Sequence, residues 1–186
     1  MTKKHHPTLN VIVPCYNEQE IIHSTVSKLS LILEQLIEQE LCDPDDSKLV
    51  FVDDGSIDST YLELSQIASR LSFVHIIKLS RNFGHQAALL AGLEYSLTHA
   101  DFSITIDADL QDDPQAIAKM ASLYRRGYQV VYGVRSSRAT DGYLKRLFAK
   151  TFYKLMLALG LSIVYNHADF RMLSSSAMNA LSKYHE

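Results

Sequence analysis

Five short apolar runs, each closing in a cluster of polar residues, alternate along this chain with segments of helical period, and few folds satisfy that pattern. Thr8 to Val13 reads as a buried strand that stops at Pro14. Glu18 to Gln39 follows with Ile21, Ile22, Val26, Leu29, Leu33, Leu36 and Ile37 on one helical face. Asp43-Pro-Asp-Asp is a turn, and Lys48 to Val52 is the second strand, ending at Asp53-Asp54-Gly55-Ser56. Asp58 or Ser59 caps a helix running to about Arg70. Phe73 to Leu79 is the third strand, and Asn82-Phe-Gly leads into a helix ending near His99. Asp101 to Asp107 is the fourth strand, Asp113-Pro114 opens the next helix, and Tyr128 to Tyr132 is the fifth strand. Repeated β-α-β of this kind implies an α/β fold, Rossmann-like, with a mostly parallel sheet and helices on both faces. Ligands bind beyond the carboxyl ends of such strands. The distinctive polar residues stand at those ends: Tyr16-Asn17-Glu18, Asp53-Asp54, Arg81-Asn82, Asp107 to Asp109, and Arg135. One site, rather than five unrelated loops, is the expectation.

The richest of these ends is Ile104-Thr-Ile-Asp-Ala-Asp-Leu-Gln-Asp112. In extended backbone, side chains two apart share a face, so Asp107, Asp109 and Gln111 are expected to turn the same way. Oxygen ligands converging there suit a hard divalent cation, and Mg²⁺ is commonly held by one or two carboxylates plus substrate phosphates. That points to chemistry on a nucleoside diphosphate. By the same parity Val52 and Asp54 share a face, where an apolar wall and an acceptor would hold a nucleobase, while Asp53 faces the other way. The plain alternative is that both aspartates only bond the turn at Gly55. Glu18 lies at the start of a helix, where either a ribose contact or stabilisation by the helix dipole accounts for it.

Composition narrows the classes further. With 186 residues, 47% hydrophobic and 21% charged, the chain has the size and content of one soluble domain. Residues 1–7 read as a flexible leader and 8–186 as a single domain. A net charge of −3, without aromatic–basic interleaving, argues against nucleic acid. Cys15 and Cys42 have no metal-ligand spacing and fit a reducing cytosol. Leu9 to Val13 is too short for a signal peptide, and no run reaches the roughly 18–20 apolar residues that span a bilayer. Neither a P-loop nor a Gly-x-Gly-x-x-Gly turn is present. An aspartyl-phosphate phosphatase fits poorly, because Leu110-Gln111 follows the second aspartate and the motif falls on the fourth strand.

Val13-Pro-Cys-Tyr-Asn-Glu18, Val52-Asp-Asp-Gly-Ser-Ile-Asp-Ser-Thr60, Leu79-Ser-Arg-Asn-Phe-Gly-His-Gln-Ala-Ala88 and Asp107-Ala-Asp-Leu-Gln-Asp112 occur in the order seen in the family 2 glycosyltransferases. The chain resembles their polyprenyl-phosphate branch, which includes dolichyl-phosphate mannose synthase and the bactoprenol glucosyltransferases, across residues 8 to 174. The resemblance implies a GT-A fold, a UDP- or GDP-sugar donor, Mg²⁺ or Mn²⁺, a polyprenyl-phosphate acceptor for cell-envelope glycan synthesis, and inversion at the sugar carbon. It further implies that Pro14, Tyr16, Glu18, Val52 and Asp54 contact the nucleoside. Asp107, Ala108, Asp109 and Gln111 would line the diphosphate, with Asp107, Asp109 and Gln111 on the metal. Arg135, in Tyr132-Gly-Val-Arg135, matches an arginine near the donor phosphates. Asp169, in Ala168-Asp-Phe-Arg-Met-Leu173, matches a carboxylate near the reacting centre. Asp113 stands where a proline is common, with no consequence expected for the metal.

Arg135 to Lys154 carries six basic residues against one acid, Asp141. On a helix, Arg146, Lys150 and Lys154 form a stripe opposite Leu144, Leu147, Phe148, Leu155 and Leu159. A basic amphipathic helix over 141–159 suits an anionic membrane surface, so the expected location is cytoplasmic and peripheral on that face of the membrane. An ordinary surface helix is the alternative. Members of this branch usually continue well past the Asp-Phe-Arg motif, so a binding remnant or a subunit that needs a membrane partner is the competing expectation.

Overall fold

The computed structural model describes residues 6–134 and 167–183. Among them a six-stranded sheet runs in the order β3-β2-β1-β4-β6-β5. The strands are β1 (Leu9–Cys15), β2 (Lys48–Asp53), β3 (Val74–Lys78), β4 (Phe102–Thr105), β5 (Val130–Val134) and β6 (His167–Ser174). The helices are α1 (Ile22–Glu38), α2 (Thr60–Ala68), α3 (His85–Ser96), α4 (Ala116–Arg125) and a last one, α5 (Ser175–Ser182). Pairs β1–β2, β2–β3 and β1–β4 are parallel, as the alternation of elements requires. The sixth strand was not expected from the sequence. It enters antiparallel between β4 and β5, so the fifth strand pairs with β6 rather than with β4.

Strand parity explains the two layers. Val11 and Val13 of β1, Leu49 and Phe51 of β2, and Ile104 of β4 turn to one face, where they meet Ile22, Val26, Leu29, Leu33 and Leu36 of α1, Leu64 of α2 and Ile117 and Met120 of α4. Ile12, Val50 and Val52 turn to the other face and pack with Ala88 and Leu93 of α3 and Met178 of α5. Burying both faces of the central strands accounts for their unbroken apolar runs.

β1 does not stop at Pro14: it continues to Cys15, with Pro14 beside Val52 and Cys15 beside Asp53. Proline is tolerated because residue 14 faces the β4 side, where pairing has already ended at Ile12–Thr105. β4 ends at Thr105, two residues earlier than its apolar run suggested. Ile106 still donates to the Ile12 carbonyl, and the chain then folds into a turn closed by Leu110 N–H to Asp107 O, with Leu110 at φ 49°. α1 begins at Ile22, leaving Glu18 in a preceding turn whose carbonyl accepts from the amides of Ile21 and Ile22.

α3 lies close on the sheet because residue 92 is glycine. A Cβ there would collide with Ile12 Cγ2 and stand 3.1 Å from Val52 Cγ2. Across the outer side of this layer His75, Tyr95 and His99 stack in a column, with ring centroids 4.4 and 4.2 Å apart. Burial, then His99 and Lys48 nearby, hold the His75 imidazole below its ordinary value of 6.5. No helix among the described residues is long and apolar enough to cross a membrane.

Two outcomes follow from this packing. Gly92→Val should force α3 off β1 and β2 and cost about 1–3 kcal/mol, read as a lower urea midpoint at unchanged slope. For His75, a pKa depressed by folding means that the unfolded chain takes up the proton first as pH falls. Its contribution is complete above the unfolded pKa of about 6.5 and is lost as pH descends toward the folded value. His75→Phe keeps a ring in the stack and cannot titrate, so its urea stability should fall less than the parent's between roughly pH 6.5 and 5.

Candidate functional site

The carboxyl ends of β1, β2 and β4 open into a cleft of about 290 Å³ lined by residues that include Tyr16, Glu18, Asp54, His85, Asp107 and Asp109. Its walls are held by hydrogen bonds between loops. The β1–α1 and β2–α2 loops exchange Asn17 N–H to Ser56 Oγ, Ile57 N–H to Asn17 Oδ1, Glu18 N–H to Thr60 Oγ1, Gln19 N–H to Asp58 Oδ2 and Ser59 N–H to Gln19 Oε1. Asp58 Oδ1 also accepts from Thr60 N–H at 2.9 Å, so Asp58, not Ser59, serves the start of α2. This lacing fixes Glu18 half-buried and leaves the Tyr16 ring 40% exposed over the cleft. Pro14 forms part of the floor, and so does Cys15, whose thiol pKa burial, Asp53 and Glu18 push far up.

Asp54 is 3% exposed, and each of its oxygens accepts a main-chain N–H: Oδ1 from Phe83 at 2.8 Å and Oδ2 from Gly84 at 2.9 Å. Gly55 makes this approach possible. It sits at φ 70°, and any Cβ would collide with the backbone of Arg81 and lie 2.7 Å from the amide of Asn82. Asp53 is fully buried, with Oδ1 accepting from Ser56 N–H at 3.3 Å. Val52, expected against the nucleoside, is also fully buried and does not line the cleft. Parity placed it on the same face as Asp54, but that face is the one α3 covers.

The β4–α4 turn presents the acidic pair. Thr25 Oγ1 of α1 donates to the Ala108 carbonyl at 2.6 Å, anchoring a residue that is itself buried, and Asp109 Oδ1 accepts from Gln111 N–H at 3.1 Å. Asp107 and Asp109 therefore reach the cleft from a tight turn and not by alternation along a strand. Gln111 does not join them: it lines a separate cavity, of about 550 Å³, between α4, β5 and Phe170. Arg135 and the basic segment 141–159 lie outside the described residues.

Electrostatically the cleft is dominated by acids. Burial, with Asp109, Asp58 and Asp107 nearby, raises the Glu18 pKa. Asp107 is raised by burial and by Asp109, Asp169 and Asp112, with His85 opposing. Asp107 Oδ1 is buried without a hydrogen-bond partner among the described residues, 3.6 Å from His85 Nε2. A divalent cation would relieve this repulsion, and carboxylate oxygens are the donors that Mg²⁺ and Mn²⁺ prefer. Among the described residues no three His, Cys, Asp or Glu side chains are grouped to hold a metal ion by themselves.

Asp169 arrives on β6. Pairs Phe102–Ser174 through Thr105–Arg171 set the antiparallel register, and Asp169, two residues before the last of these partners, lies near Asp107, whose pKa its charge helps to raise. His85 Nε2 stands 3.2 Å from Asp169 Oδ2, Gln86 Nε2 donates to the same oxygen at 3.1 Å, and an Arg171 guanidinium nitrogen lies 3.7 Å from Oδ1. Sequence reasoning set Asn82 among the strand-end residues of the expected site but missed His85 as a cleft residue. Both lie in the Leu79–Ala88 motif, where a strand end meets a helix start, which was the available signal.

Comparison with known proteins follows the same line. The sequence profile of Glycosyl transferase family 2 matches residues 10–181. The Bacillus subtilis (strain 168) uncharacterized glycosyltransferase YkoT is 44% identical over 184 residues, 99% of this chain and 54% of its own. A bactoprenol glucosyl transferase of Shigella phage SfX is 35% identical over 167 residues, covering 89% and 52%. The chain thus spans about half the length of these curated relatives. Among solved structures, the mannosyltransferase PcManGT from Pyrobaculum calidifontis, in complex with GDP-Man and Mn²⁺, superposes with TM-score 0.61 at 18% identity over 96% of this chain and 47% of that one. Staphylococcus aureus TarS 1-349 in complex with UDP gives 0.61 at 17% identity over 96% and 50%. The architecture is therefore the GT-A fold, and the chain belongs to glycosyl transferase family 2.

Proposed function

We propose that this chain transfers a sugar, with inversion, from a nucleoside diphosphate to a polyprenyl phosphate. The observation that carries the reading is the convergence of Glu18, Asp107 and Asp109 on one cleft, with Glu18 and Asp107 raised by burial and by their neighbours. Such crowding of negative charge suits a site that takes its substrate together with a cation. Asp107 and Asp109 would hold Mg²⁺ or Mn²⁺, and the donor's phosphates would complete the shell. When bound, that ion supplies positive charge against the diphosphate.

Tyr16 and Pro14 would pack on the nucleoside, Glu18 would contact its ribose, and Asp54 would accept from the base with the lone pairs left by the loop amides. Arg135 would add positive charge at the phosphates. An oxygen of the acceptor phosphate attacks the anomeric carbon in line as the bond from that carbon to the diphosphate oxygen breaks. The nucleoside diphosphate departs with the electron pair, and the configuration inverts. The acceptor phosphate is already ionised at neutral pH, so no strong general base is needed. Asp169 would face the reacting centre from the acceptor side. The acceptor class is supported by the resemblance in sequence and by the phage relative named as a bactoprenol glucosyl transferase, and such an acceptor would be met at the membrane surface, with the basic segment 141–159 as the proposed contact.

The test combines binding and turnover. In a thermal-shift panel of UDP- and GDP-sugars, one donor should stabilise the chain in the presence of Mn²⁺ and not after chelation, because a ligand that binds only the native state raises its stability. Asp109→Ala, at an exposed position, should keep the parent melting temperature, lose that metal-dependent shift, and transfer radiolabelled sugar to short-chain polyprenyl phosphate roughly 10²-fold more slowly or worse. Unchanged turnover in this variant sinks the site. Binding without transfer by the parent chain would mark it as a donor-binding part, and transfer only after a membrane protein is added would mark it as a subunit.

A further inference from the structure

We propose that His85 is a positioning residue that holds Asp169 beside the cleft against repulsion from Asp107, an inference that rests on the reading of Asp169 given above. The fold itself creates the problem that His85 solves. Asp107 and Asp169 flank one imidazole nitrogen, with Asp107 Oδ1 3.6 Å and Asp169 Oδ2 3.2 Å from His85 Nε2, and two carboxylates held that close repel one another. Asp169 also has a competing partner. The Arg171 guanidinium lies 3.7 Å from Oδ1, and Arg171 Nε is buried with no hydrogen-bond partner among the described residues. Left to these two forces, the carboxylate would swing away from Asp107 and close on Arg171.

The start of α3 prevents this. Gly84, the residue before the helix, sits at φ 94° with its N–H shared between Asp54 Oδ2 and Asn82 Oδ1, so the backbone position of His85 is fixed from the nucleoside side. From there the imidazole reaches between the two acids, with Nε2 3.2 Å from Asp169 Oδ2 and 3.6 Å from Asp107 Oδ1. Gln86 adds a second donor to the same Asp169 oxygen. Two donors from consecutive residues of one helix thus hold Asp169 Oδ2, while the ring separates the donor-side acid from the acceptor-side acid. The role needs only an N–H at Nε2 and the ring's position.

Kinetics and structure test this. His85→Ala should slow transfer to short-chain polyprenyl phosphate by roughly 10- to 100-fold, the scale of a displaced reacting group, while donor affinity in Mn²⁺ stays within about 2-fold of the parent. His85→Gln, which restores an amide N–H near Nε2, should recover most of that loss. Because His85 acts through Asp169, the His85→Ala/Asp169→Asn double variant should be no slower than Asp169→Asn alone. Additive losses, or donor affinity falling in step with turnover, would overturn the proposal. A crystal structure of His85→Ala tests the role independently of activity: Asp169 is expected against Arg171, and an unmoved Asp169 refutes the positioning role. Absence of any transfer by the parent chain counts instead against the proposed function.

Discussion

A carboxylate buried at the end of a strand has to be met by donors that the fold supplies, and Asp54 is met by the amides of Phe83 and Gly84. The geometry of the cleft depends on that contact. It ties β2 to the loop that begins α3, and so fixes where His85 and Gln86 start. The tie is possible because Gly55 lets the Arg81–Asn82 backbone come within a distance that any side chain would forbid. The β1–α1 loop is bound to the β2–α2 loop by five further hydrogen bonds. Residues that look like scattered turn formers along the chain are therefore one connected frame. Its parts come from well-separated stretches, and the parallel sheet brings them to the same end.

Much of this was legible because strands announce themselves by apolar runs and the polar residues at their ends collect on one side of the sheet. Parity was reliable only where pairing persists. Asp54 obeys it because its N–H continues the ladder to the Cys15 carbonyl. Asp107, Asp109 and Gln111 do not, because β4 ends at Thr105 and the turn that follows has its own geometry, with Leu110 at positive φ. Gln111 consequently faces a different cavity. Val52 shows the other limit: parity gave its face correctly, but nothing local in the sequence says that Gly92 lets α3 close over it. β6 was missed although Asp169-Phe-Arg-Met172 alternates polar and apolar residues, because a return strand after a long intervening segment has no local partner to reveal it.

The electrostatics of the cleft follow from the same frame. Separately, Glu18, Asp107 and Asp109 are ordinary strand-end acids. Brought together and partly covered, they raise the pKa of Glu18 and Asp107. On the function proposed above, acids crowded in this way suit a cation that arrives with phosphate oxygens of its own. Affinity for the ion and affinity for the donor are then expected to be one linked quantity, each raising the other by the same factor.

The antiparallel strand β6 is the step that a simple alternation of strands and helices could not supply. In the parallel part of the sheet, every strand brings its carboxyl end to the cleft, so each contributes residues that lead into a helix. β6 runs the other way and brings a residue from the beginning of a strand, Asp169, to the imidazole that also faces Asp107 in the turn after β4. On the function proposed above, that geometry would let one site face two anions, a diphosphate on the Asp107 and Asp109 side and an incoming phosphate on the Asp169 side. It also makes the two sides repel unless a donor stands between them, and His85 at the head of α3 occupies that position. The helix start that Asp54 anchors is thus the one whose first two side chains meet Asp169.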